Sequence, residues 1–176
     1  MTKSKMVLRR RSLLVFSMLF TLVILVILAD VMAEGWGDIK REDLQAASLM
    51  LEMLFVIWRF AGSRILLLGS TVKIVNPLLT YTVPVGSVRS IASSQGLSLA
   101  TSDGREINSM AFGRSLIDHF VGTSTKAADR IERHVRRRRN GRAGGVVERA
   151  LTWEWRADVF ALAGVACLVA SMFIGS

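Results

Sequence analysis

The sequence has very few of the residues that build disulfides and metal centres. Its 176 residues include one cysteine, Cys167, so no disulfide can form within the chain and no thiolate metal site can be assembled. The two histidines, His119 and His134, have no partner at metal-ligand spacing and are predicted to be solvated or to pack against a helix. No metal or cofactor is therefore expected.

Recognisable catalytic motifs are also missing from the sequence. The glycines between Gly141 and Gly145 lack the lysine and the preceding strand of a phosphate-binding loop. There is no serine elbow and no pair of carboxylates on a predicted strand. Asp118 and His119 form a lone acid–base pair on an ambiguous segment. The sequence predicts a protein that is not an enzyme, and no small-molecule substrate is evident.

What the chain does have is a combination of apolar and basic residues. Apolar residues make up 51% of the sequence and the mean hydropathy is +0.41, yet the net charge is +9. Few soluble domains combine these properties, whereas a membrane protein with a basic domain does so easily. Three apolar segments are interpreted as transmembrane helices, at residues 12–33, 44–60 and 157–174. The predicted fold class is membrane α, with about three transmembrane helices, plus a small α+β domain.

Two of these segments have alternative interpretations. The basic start of the chain and the sequence Val31-Met32-Ala33 also fit a cleaved signal peptide, which competes with a retained first helix. The second segment is short and contains Glu52, so a helix lying in the membrane interface is an alternative to a full span.

Charge asymmetry predicts the orientation of the chain. The tail 1–11 has five basic residues and no acid, residues 30–43 have a net charge of −3, and residues 59–156 have a net charge of +9. Lysine and arginine favour the cytoplasmic side of a membrane. The expected protein is a multi-pass plasma-membrane protein whose tail and large basic segment are cytoplasmic, with the loop 34–43 and the carboxyl terminus outside.

The segment 61–139 reads as a separate domain, followed by a linker and short juxtamembrane helix at 140–156. Six short strands are predicted, at 64–68, 71–75, 80–85, 88–92, 97–102 and 105–110. Asp103-Gly104 predicts a hairpin with a type I′ turn. A helix with the apolar stripe Ala128, Ile131 and Val135 follows Gly122. These elements predict a small antiparallel barrel or sharply bent sheet.

The order of motifs in residues 61–139 also matches a known pattern. The motifs are Val72-Lys73-Ile74-Val75-Asn76-Pro77, Tyr81-Thr82-Val83-Pro84-Val85, Val88, Thr101-Ser102-Asp103-Gly104-Arg105 and Ala111-Phe112-Gly113. This order resembles the bacterial pleckstrin-homology (PH)-like domains of small actinobacterial membrane proteins, of the type named after low-molecular-weight protein antigen 6. The resemblance implies a cytoplasmic antiparallel β-barrel or roll closed by a C-terminal helix. It also implies a platform for protein contacts, at an open strand edge or in a groove beside that helix.

Three groups of residues are candidate functional positions. The first is a basic patch that suits an anionic lipid surface: Arg130, Arg133, Arg136, Arg137, Arg138, Arg139 and Arg142. Nucleic-acid binding through phosphates and a merely solvated helix end are its alternatives, but interleaved aromatics are missing and no nucleic acid is expected. The second is Glu52, either an ion or proton site or a polar contact between helices. The third is a stripe of small residues for close helix packing, within the chain or between copies: Ala163, Cys167 and Ser171.

Two functional hypotheses follow from the sequence. The leading hypothesis is a membrane-anchored PH-like interaction module that presents its small domain for protein binding or self-association near an anionic leaflet. Its expected partners are the lipid bilayer and either a protein or further copies of the chain. The alternative is a small transporter or channel-like subunit in which Glu52 is the intramembrane polar site.

Overall fold

The computed structural model describes residues 6–34, 39–94, 96–113, 123–138 and 145–174. The helices are α1 (Arg11–Glu34), α2 (Arg41–Ala61), α3 (Thr123–Arg138) and α4 (Trp155–Phe173). The strands are β1 (Met6–Leu8), β2 (Arg64–Leu68), β3 (Thr71–Val75), β4 (Leu79–Pro84), β5 (Val88–Ala92), β6 (Gly96–Thr101), β7 (Glu106–Gly113) and β8 (Glu148–Leu151). The chain forms two compact units. The β domain comprises Met1–Arg10 and Gly62–Thr152, and the helical unit comprises Arg11–Ala61 and Trp153–Ser176.

The helical unit contains three helices that are long and apolar enough to cross a membrane. They are α1, α2 and α4, and their bounds lie within a few residues of the three predicted segments. In α1, the serine and threonine hydroxyls do not interrupt the helix, because Ser17 Oγ donates to the carbonyl of Leu13 and Thr21 Oγ1 donates to that of Ser17. The prediction of three membrane-length helices is confirmed.

Trp58 joins the three helices of this unit. Its side chain is buried together with Ala61 of α2 and Ala157 of α4, and Leu13 and Leu14 of α1 pack against this cluster. The indole N–H of Trp58 donates a hydrogen bond of 2.9 Å to Thr21 Oγ1 in α1. A buried tryptophan usually satisfies its N–H in this way. Trp58 is therefore a packing residue that contacts both of the other helices.

The six predicted strands of the β domain are confirmed as β2 to β7, but they do not form a closed barrel. A five-stranded antiparallel sheet has the order β1-β2-β3-β4-β8, and a three-stranded antiparallel sheet has the order β5-β6-β7. The physical reason is that β4 uses its free edge to pair with β8. The chain then leaves this sheet through a single 3₁₀ turn, Val85–Ser87, before β5 begins.

The tail predicted at 1–11 contains the strand β1. Val7 pairs with Leu66 of β2, and Leu8 pairs with Ile65 and is buried in the core of the β domain. A run of three apolar residues between basic ones is too short to show a strand periodicity. The pairing with β2 therefore could not be read from the tail alone.

The predicted juxtamembrane helix within 140–156 is wrong for its described part. Glu148–Leu151 is the strand β8, which pairs antiparallel with β4, with Leu151 opposite Leu79. Just before it, Val147 is buried in the core. The open edge of β4 offers a complete set of backbone partners, and this tertiary pairing overrides the weak local helix preference.

The core of the β domain lies between the two sheets and α3. The predicted stripe of α3 is confirmed, because Ala128, Ile131 and Val135 are all buried in this core. Near the start of α3, Ser124 Oγ donates a hydrogen bond of 3.2 Å to the carbonyl of Phe112 in β7. The helix thus covers the sheets with its apolar face and leaves its basic face to solvent.

The hairpin between β6 and β7 differs from the predicted type I′ turn. That turn needs a positive φ at both central residues, but here Gly104 has φ of +81° and Asp103 has a negative φ. The connection is longer than a two-residue turn. It is closed by hydrogen bonds from the N–H of Thr101 and from its Oγ1 to the carbonyl of Arg105, each of 2.9 Å.

The segment that leads into β8 is fastened to the domain at Ser87. This buried hydroxyl accepts the N–H of Gly145 at 2.8 Å and donates to the carbonyl of the same residue. We expect Ser87→Ala to lower the free energy of unfolding by about 1–2 kcal/mol, because the two hydrogen bonds between the buried Ser87 hydroxyl and the backbone of Gly145 are lost. Chemical denaturation of the full chain in detergent micelles measures this change.

Ser90→Ala is the matched control for this variant. Ser90 is exposed on β5, so its replacement should alter stability by about 0.5 kcal/mol or less. Equal effects of the two substitutions would contradict the role given to Ser87.

Candidate binding groove and helix contacts

A groove lies between β5 and α3 of the β domain. Its volume is about 490 Å³. The residues that line it are Val88, Arg89, Ser90, Ile91, Glu132, Val135 and Arg136. It lies where the resemblance to PH-like domains implies a peptide site, beside the helix that covers the sheets.

The position of the groove follows from the end of the three-stranded sheet. β5 is a terminal strand, and its pairing with β6 is shifted between Val88 and Ser90, at Arg89. Such a bulge interrupts regular pairing and re-aims the side chains next to it. α3 packs against β5 through its apolar stripe, so the groove opens along the rim of this contact.

The chemistry of the groove combines an apolar base with charged walls. Ile91 packs against the core and Val135 is part of it, whereas Arg89 and Arg136 are exposed. Glu132 adds one negative charge on the helix side. Guanidinium groups form short, paired hydrogen bonds with carboxylates. The groove therefore suits a polypeptide segment that has an apolar side chain next to an acidic one.

A second depression lies on the three-stranded sheet and is mainly polar. Its volume is about 420 Å³. Ser98, Asn108 and Ser109 are among the residues that line it. The hydroxyl of Ser109 is buried and finds no hydrogen-bond partner in the described part of the chain. Leu97 is the one large apolar residue among the described residues of its lining, and most of the others are polar or small, which makes this surface the weaker candidate for a protein partner.

The structure divides the predicted basic patch among different environments. Arg130, Arg133 and Arg137 are exposed on α3, and Arg136 lines the groove. Arg138 is half-buried and its Nη1 reaches over Gly69, 3.8 Å from the position that a Cβ would take there. Arg139 and Arg142 lie outside the described residues. The use of this patch for lipid binding stays a prediction.

His134 is the one histidine among the described residues, because His119 lies outside them. Burial lowers the pKa of its imidazole, and the nearby guanidinium of Arg138 lowers it further, while the backbone carbonyl of Leu68 partly opposes both effects. Its Nε2 is buried and has no hydrogen-bond partner within the described segments. The folded state therefore favours the neutral imidazole, as the prediction of a helix-packing histidine implies.

The lowered pKa of His134 predicts how stability changes with pH. Below the ordinary histidine pKa of about 6.5, the unfolded chain binds a proton that the folded chain does not, so the free energy of unfolding falls as the pH falls. Denaturation should show a larger loss of stability between about pH 7.5 and about pH 5.5 for the unmodified chain than for His134→Gln. Identical losses would contradict this assignment.

In the helical unit, α2 and α4 approach closely at Gly164. A Cβ on this residue would lie 3.1 Å from Glu52 Oε1 and 3.3 Å from the carbonyl oxygen of Ser48. Three residues of α4 are buried: Ala157, Gly164 and Ser171. Ser171 also belongs to the predicted packing stripe. The other two residues of that stripe, Ala163 and Cys167, are only half-buried.

The spacing of the buried residues explains this partial disagreement. Residues four apart rotate steadily around a helix of 3.6 residues per turn, so the stripe Ala163, Cys167 and Ser171 drifts away from one face. Residues seven apart stay nearly aligned, with a drift of about 20° per step. Ala157, Gly164 and Ser171 follow this spacing, and they form the contact face.

Glu52 lies at this α2–α4 contact, with its carboxylate against the backbone of Gly164. Its side chain is half-buried, and its neighbours Leu49, Met53 and Val56 form an apolar outer surface. No ion pair or hydrogen bond of Glu52 occurs among the described residues. The structure thus brings Glu52 to a helix contact without assembling a polar site around it.

The close approach at Gly164 predicts that a larger residue separates the two helices. Gly164→Val should lower stability by about 1–3 kcal/mol, because the branched side chain overlaps Ser48 and Glu52. Unfolding in mixed micelles, followed by loss of helicity, measures the change. Ala166→Val is the matched control, since Ala166 is exposed on the same helix, and equal stabilities of the two variants would contradict this contact.

An ion pair that the sequence reasoning missed also joins α2 and α4. Arg59 Nη2 donates to Asp158 Oδ1 at 2.8 Å, and the two side chains are only 17% and 21% exposed. The guanidinium of Arg59 also lies over the ring of Phe55, 5.3 Å from its centroid. The available sequence signal is a basic residue in the last turn of α2 and an acidic one in the first turn of α4.

Nothing in the described ranges points to a metal centre, because no group of three histidine, cysteine or carboxylate side chains comes together there. Comparison with protein-family models, with curated proteins and with solved structures finds no match to this chain. The resemblance to PH-like domains therefore stays an expectation based on the motifs of residues 61–139.

Proposed function

We propose that this protein is a membrane-anchored interaction module, whose helical unit fixes it in the bilayer and whose β domain binds a protein segment in the groove between β5 and α3. The single observation that carries the proposal is this groove, with an apolar base at Ile91 and Val135 and exposed arginines at Arg89 and Arg136. Its partner would be a polypeptide with an acidic residue next to an apolar anchor, from another protein or from another copy of the chain.

The pairing of β1 with β2 supports the membrane arrangement. β1 precedes α1 and β2 follows α2, and two residues separate each strand from its helix. Paired strands lie side by side, so both ends of the segment from α1 to α2 belong on the same side of a bilayer. An even number of membrane crossings meets this condition, and two crossings result when both α1 and α2 span the bilayer. The net charge of +9 in residues 59–156 favours the cytoplasmic side.

The alternative of a transporter or channel-like subunit has less support. It requires polar groups that cooperate with Glu52, whereas in the described structure this carboxylate packs against the backbone of Gly164 beside an apolar surface. An intramembrane carboxylate that serves transport usually faces a partner or a water-filled cavity.

Charge reversal in the groove tests the proposal. A photo-crosslinking amino acid at Ser90 of the full-length protein, activated in native membranes, should give a discrete crosslinked protein. Arg89→Glu and Arg136→Glu should each reduce the yield of the crosslinked protein at least about tenfold, which corresponds to about 1.4 kcal/mol of binding free energy. The reason is that the introduced glutamate repels the acidic residue of the partner, which the arginine attracts.

Arg137→Glu is the matched control for this experiment. Arg137 is exposed on the same helix turn as Arg136 but does not line the groove, so its reversal should leave the yield unchanged. Equal crosslinking in all variants, or equal loss in Arg137→Glu, would contradict binding in the groove. The full chain is required, because residues 61–142 alone would lack β1 and β8.

A further inference from the structure

One outer edge of the three-stranded sheet, that of β7, is covered by side chains. Asn76 Nδ2 donates a hydrogen bond of 2.8 Å to the carbonyl of Asn108, and the N–H of Met110 donates one of 2.9 Å to Asn76 Oδ1. Ser124 Oγ donates to the carbonyl of Phe112 on the same strand. These side chains occupy backbone groups that a further strand would need, so this edge is protected against pairing with another chain.

The opposite edge of this sheet, that of β5, borders the groove and has no such cover. Apart from its pairing with β6, the backbone of residues 89–92 makes no hydrogen bond within the described chain. Unpaired N–H and C=O groups on an edge strand are a template for pairing with another chain. Main-chain hydrogen bonds to an added strand supply affinity, and its alternate side chains supply specificity. The groove therefore suits a partner that binds as an extended strand along β5.

Another edge strand of the same domain, β8, carries the side chains that the groove requires. It pairs with β4 on one side only, and all four of its residues are exposed. Val146 and Glu148 are exposed while Val147 between them is buried, so the first two lie on the same side of the chain. Glu148 forms no ion pair with any described residue. An exposed apolar side chain next to an acidic one is the pattern inferred for the partner.

The charges of β8 and of the groove are complementary. Arg89 and Arg136 are exposed and form no ion pair within the described ranges, and Glu132 is the one acidic residue that lines the groove with them. Opposite charges across an interface favour the matching partner, and like charges disfavour a wrong one. The edge strand β1 is a poor match, because Lys5 and Arg9 flank it. Of the two edge strands of the five-stranded sheet, β8 is thus the one that fits the groove.

We propose that the groove of one copy of this protein binds β8 of a second copy, which adds as a strand to β5 with its Glu148 against Arg89 and Arg136. The inference rests on the proposed function and replaces its unspecified partner with a second copy of the chain. Each copy has both the strand and the groove, so this contact links copies that share a membrane.

Photo-crosslinking of the purified full-length protein tests this inference. The chain carries the crosslinking amino acid at Ser90 and is reconstituted in phosphatidylcholine vesicles, where no other protein is present. We expect a product of twice the mass of the chain, with the second end of the crosslink within residues 146–151 by mass spectrometry. Its yield should fall at least about tenfold in Glu148→Arg and in Arg89→Glu, because each change places like charges together. A crosslink that maps elsewhere on the second copy would overturn the inference.

Combining the two substitutions separates a direct charge contact from a structural effect. Arg89→Glu with Glu148→Arg restores opposite charges with their positions exchanged, so the double variant should recover most of the lost yield. Arg149→Glu is the matched control, because side chains alternate along a strand and Arg149 lies on the other face of β8, and it should leave the yield unchanged. No recovery in the double variant, or an equal loss in Arg149→Glu, overturns the contact between β8 and the groove.

Native membranes distinguish failure of this inference from failure of the proposed function. If the purified chain gives no crosslinked pair, while in native membranes Ser90 crosslinks to a different protein, the second copy is excluded as the occupant and the interaction module stands. If Ser90 crosslinks to no protein in either setting, the proposed function and this inference are both overturned.

Discussion

The antiparallel pairing of β1 with β2 and of β8 with β4 is the constraint on which the rest of the molecule depends. Each outer strand comes from a part of the chain that is separated from the middle of the β domain by membrane-length helices or by α3. Backbone hydrogen bonds at these edges therefore join segments that are distant in sequence. They also occupy both edges of β2–β3–β4, which would otherwise be open to pairing with other chains.

The pairing of β1 and β8 with this sheet also determines where the groove forms. Because β4 pairs with β8, β5 remains an edge strand of the three-stranded sheet. There it meets α3 along the groove. The apolar stripe of α3 holds that helix on the core, while its arginines stay outside. The amphipathic helix α3 thus forms one wall of the groove and also carries the basic face. The arginines of α3 that charge the groove belong to the set that makes the domain basic.

Much of the fold is visible in the sequence where patterns are local. Apolar runs predict the three membrane-length helices, and alternation punctuated by Asn76-Pro77 and Asp103-Gly104 predicts β2 to β7. Glu148–Leu151 could not be predicted in this way, because all four residues are exposed and the strand exists only through its pairing with β4. The groove likewise requires the docking of α3 on β5, and the Arg59–Asp158 pair joins positions 99 residues apart. Tertiary contacts of this kind leave little trace in a single sequence.

Hydrogen exchange in lipid nanodiscs tests the central claim most directly, because it reports whether the backbone amides of β1 and β8 are hydrogen-bonded. The account predicts that the amides of Met6–Leu8 that face β2, and those of Glu148–Leu151 that face β4, exchange orders of magnitude more slowly than unstructured peptide, in step with those of β2 and β4. Exchange of either segment at the rate of an unstructured peptide, with β2 to β4 protected, would contradict a sheet completed from both flanks of the domain.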